Sequence, residues 1–390
     1  MRNTRNYRLL VLVAFLQGIV FYGPVATIYR RAFGLDLQGL FVIESISWLL
    51  TIALEAPFGW FADRFGYRKT LLAGNLVFLA SKVVFSVASG FGGFLAERLL
   101  LSVAVSALSG CSEAMVYRSA GASRAPQAFG RWHAAGGAGL TFAALTAPLV
   151  YGVSLRLASW ATVVPYAVAT VATLFLIDID EASDAAVTRP TGPRHGMMAA
   201  FRNLFSDPTL PVFLVAAGVL GEAAQAATVF LAPLQYERAG IPLIAFGVLF
   251  AALQAVSLAS GLAERASTAV GNARVFPLLA LAAAAALAVL AMTDSAPVSI
   301  GARVLVALTA ALFRPRSAAW QNDRVRSTER ATSLSVNALV IELTAAVMNV
   351  GAGRAAAHGL KAGFGFLAIG CLAAGVLLAV AVRKWRAQTC

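Results

Sequence analysis

The sequence predicts an all-helical membrane protein of about twelve transmembrane helices, arranged as two related bundles of six. Three observations support this fold class: an apolar composition, regularly spaced apolar runs, and similar motifs in the two halves of the chain. Apolar residue types make up 59% of the 390 residues and charged types 13%, and the mean hydropathy is +0.77. Soluble domains average about 25% charged residues, so lipid is the expected solvent for most of this chain.

Each predicted span is an apolar run of about 20 residues, which is the length of helix that crosses a hydrocarbon core. Strands of a membrane barrel need only about 10 alternating residues, so runs of this length predict helices. The first run follows Arg2, Arg5 and Arg8 and exceeds the core of a signal peptide, and we expect it to be a retained helix. The predicted spans are 10–30, 39–58, 70–90, 94–116, 132–154, 158–178, 209–233, 242–263, 275–293, 297–317, 331–352 and 362–382.

The distribution of lysine and arginine predicts the orientation. With a cytoplasmic N-terminus, 22 of these residues fall on inside segments and 6 on outside loops. Cytoplasmic loops carry such an excess, so both termini are expected in the cytoplasm. The net charge of +13 then reflects topology and contact with anionic lipid. Membrane lipid is an expected partner, and nucleic acid is not.

A long polar stretch divides the spans six and six. It runs from Asp178 to Pro208 and contains several acidic residues, arginines and prolines. The sequence therefore predicts an N-terminal bundle over 1–180, a cytoplasmic linker over 181–207 and a C-terminal bundle over 208–390.

Short motifs repeat between the two halves in the same order. Tyr29-Arg30-Arg31-Ala32 corresponds to Tyr236-Glu237-Arg238-Ala239, at an offset of about 208 residues. Arg98 in span four likewise corresponds to Arg303 in span ten. Repeats of this kind are typical of transporters built from two related bundles.

The loop after span two carries the most specific motif. Segment 59–69 reads Gly-Trp-Phe-Ala-Asp-Arg-Phe-Gly-Tyr-Arg-Lys. It resembles the loop between the second and third helices of the major facilitator superfamily. In that family the aspartate, here Asp63, meets the start of the eleventh helix, here Arg330-Ala331-Thr332-Ser333, and stabilises the outward-facing state. The resemblance implies a conformational gate, to which we add an acidic and a basic residue of span four. The predicted gate residues are Gly59, Asp63, Arg64, Gly66, Arg68, Glu113 and Arg118.

Two further resemblances concern the branch of the superfamily. Gly136, Gly137, Gly139 and the segment Ala147–Gly152 resemble the glycine-proline motif of antiporters, although the glycine before the proline is missing. Segments 55–57 and 109–114 resemble bacterial drug-efflux-like permeases. These resemblances imply an antiporter of the efflux type in the bacterial cytoplasmic membrane.

Ionisable residues within the spans are candidates for proton coupling, because a charge at mid-bilayer is costly unless it is paired or hydrated. Glu222 and Glu342 lie near mid-depth on spans seven and eleven, which line the central cavity in this superfamily. Lys82 lies at similar depth on span three and is more often explained as a structural or snorkelling residue. Arg98 has Glu97 as its expected local partner. A structural role and a role in substrate contact both stay open for Arg98.

Polar residues on other spans are candidates for substrate contact: Gln17, Arg98, Gln225 and Gln254. No Walker loop, metal cluster or nucleophile with its base is present in the sequence, so we expect no enzyme activity, no metal and no cofactor. The expected energy source is a proton gradient.

We expect a monomer that exports a small amphipathic or drug-like molecule in exchange for protons, by alternating access. Two alternatives stay open at this point: import of a polar nutrient or siderophore, and a non-transporting membrane receptor or assembly factor on the same fold. A strongly polar substrate would need more hydrogen-bonding groups than the predicted cavity residues provide.

Overall fold

The structure is a computed structural model that describes residues 4–177, 204–205, 207–256, 272–324 and 330–389. Within these residues all regular structure is helical, and eleven helices are long and apolar enough to cross a membrane. The all-helical membrane fold class is thereby confirmed. The predicted linker falls outside the described residues except for 204–205 and 207.

The chain forms two compact units, Met1–Ala186 with Pro242–Gln254, and Val187–Ile241 with Ala255–Cys390. Each unit is built from long antiparallel helices joined by short turns. The helices of the first unit are α1 (Thr4–Gly18), α2 (Ala26–Ala32), α3 (Leu37–Phe65), α4 (Tyr67–Val87), α5 (Gly90–Leu108), α6 (Cys111–Ala120), α7 (Ala125–Tyr151) and α8 (Leu155–Leu174).

The second unit has the same kind of architecture, with a π-helical turn after its first helix. Helix α11 follows α10 in sequence but packs with the first unit: the Tyr151 hydroxyl donates to the Leu243 carbonyl oxygen at 3.0 Å and accepts from the Gly247 amide at 3.2 Å. The remaining helices are α9 (Thr209–Gln225) with the π turn Ala226–Phe230, α10 (Ala232–Arg238), α11 (Ala245–Val256), α12 (Asn272–Met292), α13 (Ala296–Asn322), α14 (Arg330–Ala357) and α15 (Leu360–Thr389).

Several helix ends follow from local sequence. Asp36 caps α3, because its Oδ1 accepts from the Gly39 amide at 2.8 Å. Gly66, with φ +88°, separates α3 from α4, and Gly110, with φ +41°, separates α5 from α6. Positive φ values of this kind favour glycine because it has no Cβ. Span four is therefore broken near its C-terminal end, where the sequence predicted one continuous run.

Glycines also set the distance between α1 and α7 in the first unit. A Cβ at Gly139 would overlap the Phe15 carbonyl oxygen and lie 3.3 Å from the Gly18 Cα. Helices that approach this closely need small residues at the contact. Gly139, one of the glycines of span five that resemble the antiporter motif, therefore has a packing role between these two helices.

Candidate substrate and proton sites

Two ion pairs are buried in the first unit. Arg98 on α5 pairs with Glu44 on α3, and Arg30 on α2 pairs with Glu97, with 3.5 Å between Arg30 Nη2 and Glu97 Oε2. The Glu44 and Glu97 side chains are 2% and 1% exposed. The expectation that Glu97 is the partner of Arg98 is wrong. Consecutive residues on a helix do not face each other, so each charge meets a different neighbouring helix.

Hydroxyl contacts join α3 to α5, the two helices that carry the Arg98–Glu44 pair. The Oγ atoms of Ser47 and Ser102 are 2.7 Å apart, and Ser106 Oγ donates to the Thr51 carbonyl oxygen at 3.3 Å. Sequence analysis missed Glu44 as a functional candidate. It lies within predicted span two, and an ionisable residue within a span is a functional candidate by default.

Lys82 occupies an aromatic cage inside the first unit. Its Nζ donates to the Tyr22 hydroxyl at 3.0 Å and lies 4.9 Å from the ring centre of Phe78 and 5.1 Å from that of Tyr166. Among the described residues no carboxylate comes within 4 Å of this ammonium group. Ring faces stabilise a cation electrostatically, which accounts for a lysine that is only 5% exposed.

Gln17, a predicted cavity residue, is engaged with the helices around it. Its Nε2 donates to Asn75 Oδ1 at 2.6 Å, and its carbonyl oxygen accepts from the Tyr166 hydroxyl at 2.7 Å. The side chain is half-buried. In this structure Gln17 therefore connects α1 to α4 and α8.

The two glutamates predicted to carry the proton lie near one helix crossing in the second unit. Glu222 on α9 is 3% exposed, and Glu342 on α14 is partly buried. A Cβ at Gly218 would lie 2.8 Å from the Ile341 carbonyl oxygen and from the Thr344 Cβ, so α9 and α14 touch at this point. Both glutamates are within about one helical turn of that contact.

The two remaining glutamines belong to different units. Gln225 is partly buried at the end of α9, three residues after Glu222. Gln254 is partly buried on α11, which packs with the first unit. Of these two glutamines, Gln225 lies on the same helix as the predicted coupling residue Glu222, and Gln254 lies on a different helix.

Arg303 is a buried cation that the sequence suggested only as the repeat partner of Arg98. Its guanidinium donates from Nη2 to the Thr228 carbonyl oxygen at 2.9 Å and lies 4.9 Å from the Tyr236 ring centre. Thr228 belongs to the π turn, and such turns often occur at functional sites. The corresponding arginines of the two units thus differ, since Arg98 has a carboxylate partner and Arg303 a carbonyl and a ring.

The predicted gate residues surround the turn between α3 and α4. Gly66 forms the turn itself, while a Cβ at Gly59 would contact nothing within 4 Å. Arg68 Nη2 donates to the Leu174 carbonyl oxygen at 3.1 Å. The side chain of Asp63 and those of 330–332 lie outside the described residues, so their predicted contact stays a prediction.

Two arginines of the predicted gate lie over aromatic rings. The guanidinium of Arg118 lies 4.7 Å from the Tyr67 ring centre, and that of Arg64 lies 5.5 Å from the Trp60 ring centre. Glu113 is exposed, and no described arginine pairs with it. Trp60 lies one helical turn before Arg64 on α3, and Tyr67 lies on α4, which packs against the helix of Arg118.

A small apolar groove lies within the second unit, between α9, α12 and α13. Small residues such as Gly221 and Ala283 leave this space open, and a Cβ at Gly221 would meet nothing within 4 Å. The groove is lined by Leu220, Gly221, Ala224, Leu279, Ala283, Thr309, Ala310, Phe313 and Arg314.

These features together define a polytopic membrane protein of transporter type. The model of the Major Facilitator Superfamily matches residues 9–268. The chain belongs to that superfamily, is an integral membrane protein and functions as a transporter of this class.

Several solved transporters share the fold. The nucleoside transporter NupG is 15% identical with a TM-score of 0.79, and the alignment covers 98% of each chain. A bacterial homolog to the human lysosomal transporter Spinster is 17% identical with a TM-score of 0.74, over 97% of this chain and 95% of that one. The human organic anion transporter MFSD10 is 17% identical with a TM-score of 0.62, over 97% and 99%. No curated protein matches the sequence.

Proposed function

We propose that the protein is a proton-coupled exporter of a small amphipathic or drug-like molecule and works by alternating access. The observation that carries the choice of substrate class is the groove in the second unit, which is lined almost entirely by apolar residues. Ligand pockets are in general apolar with a few placed polar groups. The nearby buried glutamate then supplies the coupling group.

Glu222 is our first choice for the residue that carries the proton. Its side chain is 3% exposed, and it lies beside groove residue Gly221 on α9. Carboxyl groups in general hold a proton when buried and release it when hydrated or near a cation. Glu342, near the same helix crossing, is the second choice.

The test compares Glu222→Gln and Glu342→Gln with the wild type in proteoliposomes that carry an imposed pH gradient. Glutamine keeps the shape but exchanges no proton, so we expect one variant to lose pH-driven transport and still bind substrate, with binding no longer dependent on pH. Asp323→Asn, which neutralises an exposed carboxylate, is the matched control and should transport normally. Full proton-driven transport by both glutamine variants would contradict the assignment.

Direction is tested in the same system with right-side-out and inside-out membranes. Proton-driven accumulation in inside-out vesicles supports export. Accumulation in right-side-out vesicles instead supports the importer of a polar nutrient or siderophore, and binding without any flux supports a receptor.

The setting of this activity is also part of the proposal. The excess of lysine and arginine on alternate loops supports insertion in the bacterial cytoplasmic membrane with both termini inside. The partners proposed are a small-molecule substrate and membrane lipid. A monomer is sufficient for the function, because one chain contains both units.

A further inference from the structure

Spans one and seven are interrupted at corresponding positions of the two halves of the chain. In span one, α1 ends at Gly18 and α2 begins at Ala26, with the short 3₁₀ turn Gly23–Val25 between them. In span seven, the π turn Ala226–Phe230 lies between α9 and α10. Interrupted helices at equivalent positions of a repeated transporter fold are a good structural pointer to the substrate site.

The interruption of span one is held by two side chains of α8. The Thr162 hydroxyl accepts from the Phe21 amide at 3.0 Å, and the Tyr166 hydroxyl donates to the Gln17 carbonyl oxygen at 2.7 Å. Non-helical backbone within a membrane needs such partners. The side chains of Gln17 and Phe21 are partly exposed, so the interruption presents a polar and an aromatic group to a ligand.

A buried cation lies at each interruption. At span one, Lys82 is 5% exposed and donates to the Tyr22 hydroxyl at 3.0 Å. At span seven, Arg303 is 2% exposed and donates to the Thr228 carbonyl oxygen at 2.9 Å, while its Nε and Nη1 atoms have no hydrogen-bond acceptor among the described residues. Within the same part of the chain, no carboxylate lies within 4 Å of either cation.

The repeat shows that this lack of a counter-ion is specific. Arg98, which corresponds to Arg303, is neutralised by Glu44 on α3. The counterpart of α3 in the second half is α11, and its residues Ala245–Val256 include no acidic residue. A buried charge without a partner is costly, so a cation kept in this state at each interruption indicates that a negative charge arrives from outside the protein.

We propose that the substrate of this protein is an organic anion and that Lys82 sets this preference in the first unit. The anion lies against the partly exposed interruption of span one, and the ammonium group attracts it electrostatically while it stays in its aromatic cage. Tyr22, which Lys82 contacts, directly follows Phe21 in the chain. Two unit charges about 10 Å apart, at an effective dielectric constant of about 20, change an affinity by about tenfold. The inference rests on the proposed function and deepens it, because it gives the amphipathic substrate a negative charge.

The first experiment tests the preference in the wild-type, full-length protein. The protein is placed in nanodiscs of phosphatidylcholine, and binding is measured by equilibrium dialysis at neutral pH, with binding to empty nanodiscs subtracted. The three probes share one ring system and differ in charge: 2-naphthoate, 2-naphthamide and 2-naphthylmethylammonium. We expect the affinity to fall in that order, with about tenfold between the anion and the amide. An amide or cation that binds as tightly as naphthoate, or a wild type that binds no naphthoate, overturns the proposal.

The second experiment tests the role of Lys82. Lys82→Met removes the charge and leaves a flexible apolar side chain that suits an aromatic surrounding, and Lys82→Gln is a second neutral variant. Both should bind naphthoate about tenfold more weakly and bind naphthamide as the wild type does, whereas Lys82→Arg should keep the preference for the anion. The matched control is Lys361→Met, which removes an exposed lysine at the start of α15 and should leave all three affinities unchanged. A folded neutral variant that still prefers naphthoate by tenfold overturns the assignment of Lys82.

Failure of this inference is distinct from failure of the proposed function, because the binding experiments need neither a gradient nor flux. Equal affinities for the three probes with intact pH-driven efflux reject only the anion preference. The expected order of affinities in a protein that shows no efflux supports the anion site and rejects only the export activity.

Discussion

Replacing Arg98 by methionine should destabilise the first unit strongly, because it leaves Glu44 buried without its cation. Glu44 is 2% exposed and Arg98 20% exposed, so neither charge is well screened by solvent. The other cation nearby, Arg30, already pairs with Glu97. Removal of one member of a buried ion pair costs about 3–5 kcal/mol.

The double variant Arg98→Met/Glu44→Met provides the internal comparison. Buried ion pairs replaced as a whole by apolar residues of similar volume are often neutral or even stabilising. We therefore expect the double variant to regain most of the stability lost by Arg98→Met. In a unit of this size, the single variant should melt about 10 °C below the double variant.

The assay is thermal unfolding in detergent, followed with a thiol-reactive dye. Cys111 is a buried thiol in the first unit and reports on the opening of that unit once Cys371 and Cys390, the other two cysteines, are replaced by serine. Equal melting temperatures for the single and double variants would refute the reasoning, since the charge of Glu44 would then carry no penalty. Transport by the double variant separates the roles: full activity means that the pair is structural, and lost activity means that it also takes part in transport.

Two other predictions concern helix packing and the gate. Gly139→Ala should lower the free energy of unfolding by about 1–3 kcal/mol, because the added Cβ would overlap the Phe15 carbonyl oxygen. The control Gly137→Ala, whose Cβ meets nothing within 4 Å, should leave the melting temperature unchanged or raised. Equal effects of the two substitutions would contradict the close α1–α7 contact. Asp63→Asn should reduce transport and shift the protein toward inward-facing conformers, measured as distances between spin labels on outer loops; unchanged distances with normal transport would show that the motif loop is only a turn.

Much of the fold could be predicted from the sequence because the bilayer imposes simple rules. Apolar runs of about 20 residues predict spanning helices whatever their neighbours are, and eleven helices of this kind are present in the described residues. The motif at 59–69 similarly predicted the superfamily, which the family match over 9–268 confirmed. These features depend on local sequence alone.

The breaks within the helices were not predicted, because hydropathy measures how apolar a segment is and carries no information on its backbone conformation. Gly110 interrupts the fourth span, and the π turn at Ala226–Phe230 interrupts the seventh. Both segments have an apolar or small-residue composition that suits a continuous helix. At the π turn, the contact of the Thr228 carbonyl oxygen with Arg303 joins residues 75 positions apart.

The sequence by itself determined which ionisable residues lie in the membrane, and the tertiary structure decided which of them meet. Arg98 was identified from its position in a span, but its partner Glu44 lies 54 residues away and Glu97, next to it, pairs elsewhere. Lys82 was likewise identified, while its aromatic cage combines Phe78 on the same helix with Tyr22, from the segment between α1 and α2, and Tyr166 on α8. Composition and periodicity report depth and helical face, whereas pairing depends on which helices pack together and at what rotation.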